Sequence, residues 1–309
     1  MDCGAAETWL SGEYSANSNE FLWLHFSRSN ANSELWLKSH LSIPATFFEV
    51  MHEGQGSTNI EQADDYLIAT INDVIFDFSY DASQIATLWM CIHRKFAVSA
   101  RVKPLRSVDL LRLSVEKGEQ FATPVYLLAH LLRDQANVLH KIEREAALRV
   151  DQIEDGLLAG RLSTMRSNLG SLRRVLVRLR RLLALEPSVL FRLLSRPPPW
   201  FGDDDANELR AATEEFSTVL SDLTALQERT KLLQEEIFSH VTQQTNRSLY
   251  LLTAVTVLAL PINIIAGLMG MNVGGIPLAE NVHGFWIIAA TVMAIAVAVG
   301  RFAYLKQRD

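Results

Sequence analysis

At 309 residues, with 49% hydrophobic content and a formal net charge of −6, the chain is long enough for one or two ordinary domains, and its acidic balance argues against nucleic acid as a main partner. Two cysteines, Cys3 and Cys91, give no disulfide framework and fit a reducing compartment. No glycine-rich phosphate loop ending in Lys-Ser or Lys-Thr, no nucleophile elbow and no His-Glu-x-x-His motif occurs, so no enzyme is expected.

The opening MDCGAAETWL has no basic segment followed by an apolar core, so no cleavable signal is expected and the large first part stays inside the cell. Residues Glu20 to Leu37, Asp65 to Phe78 and Ala86 to Val102 carry β-branched and aromatic side chains with partial alternation and read as strands. Short helical patterns lie between them, and Pro44 suits the first position of one. Residues 1–122 therefore read as a mixed α/β domain. Cys91 and His93, two apart on an expected strand, share a face and read as sheet residues rather than half of a zinc site.

From Thr123 the period becomes helical, with Thr123 as cap and Pro124 at the first position. A second helix is expected from about Ser163 to Leu194, where RRVLVRLRRLL reads as a solvated face or one paired with Asp and Glu of neighbouring helices. Pro197, Pro198 and Pro199 then force a turn, and Asp203, Asp204 and Asp205 favour a new helix start. The positions Leu209, Ala212, Phe216, Val219, Leu223, Leu226, Thr230, Leu233 and Ile237 follow three and four apart, a coiled-coil-like seam. Because no glycine or proline intervenes before Pro261, this helix passes from a stalk, residues 123–248, straight into the apolar stretch that begins at Leu249. From Ala206 to Gly267 it would be on the order of 90 Å long.

That apolar stretch has membrane composition. Leu249 to Met269 contains no ionisable side chain other than Tyr250 and is about the length that crosses a ~30 Å hydrocarbon core. A second span, residues 285–304, is built on Phe285 to Val299, with Arg301 snorkelling and Tyr304 at the interface. Arg247 precedes the first span, Arg301, Lys306 and Arg308 follow the second, and the loop 270–284 has neither lysine nor arginine. The expected placement is a plasma-membrane protein, multi-pass, with both termini and the tail 305–309 cytoplasmic.

Within and just before the first span, Asn246, Thr253, Thr256 and Asn263 fall with Leu249, Leu260, Gly267 and Gly270 inside one arc of about 120°. Two readings stay open: a helix–helix contact using small residues, or a pore lined by repeated copies of this helix, with the leucines as apolar constrictions. Two helices per chain cannot enclose a pore, so the second reading requires a cyclic oligomer.

Gly270, Met271 and Asn272, at the outer end of the penultimate span, resemble the Gly-Met-Asn signature of the CorA superfamily of divalent-cation transporters. Pro261, Gly267, the acidic-started long helix, the two C-terminal spans and the basic tail are similar to that family too. The resemblance implies an α/β/α sandwich and long helices forming a cytoplasmic funnel, in a homopentamer whose first spans line the pore. It implies a selectivity loop of Gly270, Met271 and Asn272, with a hydrated ion held near the Asn272 ring. It also implies pore-facing roles for Asn246, Leu249, Leu252, Leu260 and Asn263, and an inner basic ring of Arg301, Lys306 and Arg308. Leu252 lies at the edge of the arc.

The continuation Val273, Gly274, Gly275, Ile276, Pro277, Leu278 is similar to the zinc-transporting branch called ZntB, so Zn²⁺ uptake is expected ahead of Mg²⁺, Co²⁺ or Ni²⁺. No covalently bound cofactor is expected, only the transported cation. Amides, hydroxyls and carbonyls suit a hydrated cation better than a dehydrated zinc. The glycines of the loop permit a tight turn that exposes carbonyls. Glu280 and His283 are the nearest groups for concentrating cations or coupling protons, because neither span holds Asp, Glu, Lys or His. His240 falls on the helical seam, away from the polar arc, as a packed or solvated residue. A membrane-anchored coiled-coil sensor or scaffold is the alternative of another class.

Overall fold

The computed structural model describes residues 3–11, 20–54, 58–79, 84–159, 162–183, 186–271, 278 and 281–306. The chain divides into two compact units, Met1–Gln234 and Glu235–Asp309.

The first unit is built on a five-stranded sheet in the order β1-β5-β4-β3-β2, with β1 Leu22–Ser27, β2 Asn59–Ala63, β3 Tyr66–Val74, β4 Ile85–His93 and β5 Phe96–Arg101. Only the β1–β5 pair is parallel. Alternation along the central strands feeds two cores at once. Leu67, Ala69, Leu88, Met90, Ile92 and Ala97 enter one, and Ile68, Trp89, Cys91, Val98 and Ala100 the other. Buried on both faces, these strands read as near-continuous apolar runs. One face is covered by α1 Cys3–Ser11, α2 Ala31–His40 and α3 Ala45–Glu53, through Leu37, Phe47, Phe48 and Met51. The other is covered by α4 Arg106–Glu116, α5 Pro124–Leu158 and α7 Glu186–Ser195, with α8 Asp203–Met269 joining through Leu209 and Ala212.

Several expectations are corrected. The strand expected over 20–37 ends at Ser27, because Asn30 caps α2 by accepting from the Asn32 N–H at 3.1 Å. The strand expected over 86–102 is the hairpin β4–β5, turning at Arg94 and Lys95. β2 adds a strand beyond the expected set; it pairs with β3 across Asp64 and Asp65, Asp64 taking φ 51°, a conformation aspartate tolerates better than most residues. The helix expected to Leu194 is likewise two, α6 Leu162–Leu183 and α7.

Helices α5, α6 and the first part of α8 pack together. Every seam residue from Leu209 to Ile237 is buried, and the hydroxyl of Thr230, the one polar member, donates to the Leu226 carbonyl at 2.7 Å. Arg229 bridges Asp151 at 2.8 Å and also pairs with Glu154, while Arg133 pairs with Glu208. On α6, Arg173 and Arg180 donate to the amides of Gln234 (2.5 Å) and Gln227 (3.2 Å) rather than to carboxylates; Arg174, Arg178 and Arg181 are exposed.

Two capping devices tie the layers. The Thr123 hydroxyl accepts from the Tyr126 N–H at 3.0 Å, capping α5, and donates to Asp205, which accepts in turn from the Gly202 N–H at 3.1 Å at the start of α8. Asp73, at the end of β3, accepts from the Ser107 N–H at 3.1 Å and from its hydroxyl, standing in for Leu105, which has no side-chain oxygen to cap α4. Burial pushes the Asp73 carboxyl up to about 6, against the pull of these donors. Between the layers, the Gln135 amide donates to the Asn72 carbonyl at 2.5 Å and Thr87 to the Asn72 side chain at 3.0 Å.

Raised from 3.8 to about 6, Asp73 contributes stability that is fully present below pH 4 and lost as pH rises through 6, on the order of 3 kcal/mol in all. The advantage in Tm of the native chain over Asp73→Asn is therefore expected to shrink between pH 4 and pH 7; a constant gap across thermal scans would contradict this. Leu223→Ala, which empties a fully buried seam position, is expected to cost about 3 kcal/mol in denaturant unfolding.

Candidate functional site

The second unit contains the end of α8, from Glu235, and α9, Gly284–Lys306. Among the described residues, α8 alone is long and apolar enough to cross a membrane; the apolar part of α9, Gly284–Ala298, is shorter. Helix α8 continues through Pro261, whose ring nitrogen has no proton for the carbonyl four residues earlier.

In the stretch 249–269, the half-buried positions, besides the small Ala259, are Ala254, Leu258, Pro261, Ile265 and Met269, three and four apart on one face. On α9 the half-buried positions are Ile288, Ala289, Val292 and Ala296, again one face. This is the burial pattern of two helices that shelter each other. The arc of Asn246, Leu249, Thr253, Thr256, Leu260, Asn263 and Gly267, with Leu252 at its edge, is exposed and lies roughly 180° around α8 from the sheltered face. The structure therefore brings these residues together along one open strip of helix.

The hydroxyls on that strip have a fixed polarity. Thr253 donates to the Leu249 carbonyl at 2.8 Å and Thr256 to the Leu252 carbonyl at 2.9 Å. With the proton directed at the backbone, each threonine presents oxygen lone pairs outward, as hydrogen-bond acceptors. The strip also extends inward beyond Asn246, through Thr245 and Thr242 to Phe238, which is 68% exposed. Sequence reasoning misses these three because a polar pattern stands out only where composition turns apolar; their spacing from the strip is the signal that reveals them.

At the outer end of α8, the Gly270 N–H donates to the Ala266 carbonyl at 2.9 Å and Met271 is exposed. Asn272, Gly274, Gly275 and Glu280 lie outside the described residues, as does Arg308. Lys306 ends α9, but its side chain is likewise outside the description, while Arg301 is exposed. Ahead of α9, Leu278 takes φ 65° and Gly284 leaves no room for a Cβ, which would collide with the Leu278 carbonyl. Exposed His283 sits in this turn, its N–H donating to the Asn281 side chain at 3.0 Å.

Other candidate metal residues stay apart from the strip. Cys91 is buried, its thiol pushed up to about 12 by desolvation, and His93 packs against Tyr66 and Phe96 at ring separations of 4.9 and 5.0 Å. His240 is exposed, 3.9 Å from Glu236. Among the described residues no group of three or more His, Cys, Asp or Glu is arranged to hold a metal ion.

The chain is 30% identical over 282 residues, 90% of its own length and 84% of the relative's, to a protein of Pseudomonas aeruginosa named divalent cation transporter CmaX. A solved structure of full-length CmaX superposes with a TM-score of 0.77 at 26% identity, covering 91% of this chain and 88% of that one. The zinc transport protein ZntB of Yersinia enterocolitica is 25% identical over 310 residues, 99% of this chain and 93% of the relative. In fold, the chain also resembles the CorA magnesium transporter of Methanocaldococcus jannaschii, with a TM-score of 0.76 at 20% identity over 91% of this chain and 89% of that one. With its residues 18–307 matching the family described as CorA-like Mg2+ transporter protein, the chain belongs to that family.

Proposed function

We propose that the chain carries divalent cations across the plasma membrane through a pore formed by five copies of α8, with Zn²⁺ as the favoured cargo. The observation that carries this reading is the exposed polar strip of α8 opposite its sheltered face. Lipid is a poor neighbour for Asn263, whereas an aqueous passage or other copies of the strip would satisfy it. In the same reading, residues 1–122 form the cytoplasmic α/β domain and 123–248 the stalk. Residues 249–269 and 285–304 are the spans, joined by the external loop 270–284, and the tail 305–309 is cytoplasmic.

Outward-facing lone pairs of Thr253 and Thr256, and the amide of Asn263, pass a cation that keeps its water. Leu249, Leu252 and Leu260 narrow the passage, and such apolar rings close by drying. Asn272, with carbonyls around Gly270, takes the role of the outer filter. Arg301, Lys306 and Arg308 surround the inner end, and Glu280 and His283 are the groups available for proton coupling at the outer one. A membrane potential of 100 mV supplies ~4.6 kcal/mol to a divalent ion moving inward, so uptake needs no other energy source.

The preference for zinc rests on the loop sequence and on ZntB, whose identity to this chain is lower than that of CmaX. Purified protein in liposomes, loaded with a metal indicator and given Zn²⁺, Mg²⁺, Co²⁺ or Ni²⁺, is expected to take up all four with Zn²⁺ fastest. Asn272→Ala is expected to reduce Zn²⁺ uptake at least tenfold. Unchanged uptake in that variant refutes the filter, and a detergent-solubilised mass of one or two chains refutes the pore.

A further inference from the structure

The strip on α8 repeats. Phe238, Leu249 and Leu260 are eleven residues apart, and each of the first two is followed, at the fourth and seventh positions, by threonine: Thr242 and Thr245, then Thr253 and Thr256. The hydrogen bonds repeat with the sequence. Thr242 donates to the Phe238 carbonyl at 2.8 Å as Thr253 does to that of Leu249, and Thr245 donates to the Val241 carbonyl at 2.9 Å as Thr256 does to that of Leu252. Phe238 and its two threonines are exposed, as are the members of the next unit.

Eleven residues make very nearly three helical turns, so successive units advance by about 16 Å and rotate by only about 20°. The repeat of 3.67 residues per turn lies close to that of an undistorted α-helix, which lets parallel copies hold the same face to a common axis with little supercoiling. An isolated exposed phenylalanine on a polar helix needs no explanation. One placed in register with two leucines and carrying the same threonine pattern does.

We infer that Phe238 is a further and innermost constriction of the passage, below the levels of Leu249, Leu252 and Leu260, and that it meets the Phe238 side chains of the other copies. This rests on the pore reading above. A cation leaving the span inward crosses the hydroxyl level of Thr245 and Thr242 before it reaches a ring of aromatic side chains. That ring shuts by excluding water and opens when the copies of α8 part.

The test uses the full-length protein in liposomes, with Zn²⁺ and Mg²⁺ as probes. Phe238→Ala is expected to raise resting flux at least threefold and Phe238→Leu to leave it within twofold. Phe238→Cys, in a Cys3→Ser background where the remaining Cys91 is buried, is expected to give disulfide-linked dimers on mild oxidation. Native flux in an assembled Phe238→Ala protein overturns the gating role. Absence of cross-linking overturns the meeting of the side chains, and decides the matter if the alanine variant fails to assemble. No flux in the native protein overturns the pore reading itself, a result distinct from the other two.

Discussion

A single helix, from Asp203 to Met269, continuous even through Pro261, contributes to both compact units and sets the terms for each. A helix holds its faces in fixed angular relation, so a side chain anywhere along it is committed by its number alone to one direction. The chain uses one segment of α8 for packing, through apolar residues three and four apart, and another for an open strip of mixed threonine, asparagine and leucine at the same spacing. The sheet, its covering helices and the ion pairs of Arg133 and Arg229 hold the packed segment in the first unit, and the strip belongs to the second.

Much of the packed segment is legible in the residues. Thr123 before Pro124 announces a helix start, and the unbroken seam from Leu209 to Ile237 announces which face is covered, because both are local patterns that tertiary structure has no reason to override. The strands are less legible. Asn30 interrupts an aromatic run with a capping side chain, and the turns at Arg94–Lys95 and Asp64–Asp65 contain no glycine to mark them. The sheet's two-sided burial also removes the alternation that would separate one strand from the next. On α6 the exposed Arg174, Arg178 and Arg181 form the expected solvated face, while Arg173 and Arg180 meet glutamines, partners that charge counting does not see.

In the candidate site, the arc in the span can be read from angular arithmetic because an asparagine or threonine stands out among leucines and valines. Inside the polar stalk the same threonines are unremarkable, and so Thr242 and Thr245 do not stand out. What distinguishes them is their spacing from Leu249, which repeats that of Thr253 and Thr256 from Leu260 inward and stands out only once the strip in the span has been recognised. The glycine-rich loop is the reverse case. Its residues carry the family resemblance, yet their chemistry depends on backbone turns that a residue pattern does not specify.

An uninterrupted helix also constrains how such a chain can change over time. Inserting or deleting one residue between Phe238 and Leu260 would turn everything beyond it by about 100° and bring the sheltered face toward the side of the strip. A change of eleven would lengthen or shorten the strip by one complete repeat, and with it the proposed passage, and return every side chain to nearly its old bearing. Point substitutions are free to tune a level, but the number of levels can grow or shrink only by whole units, so variation in length among chains built this way should be quantised.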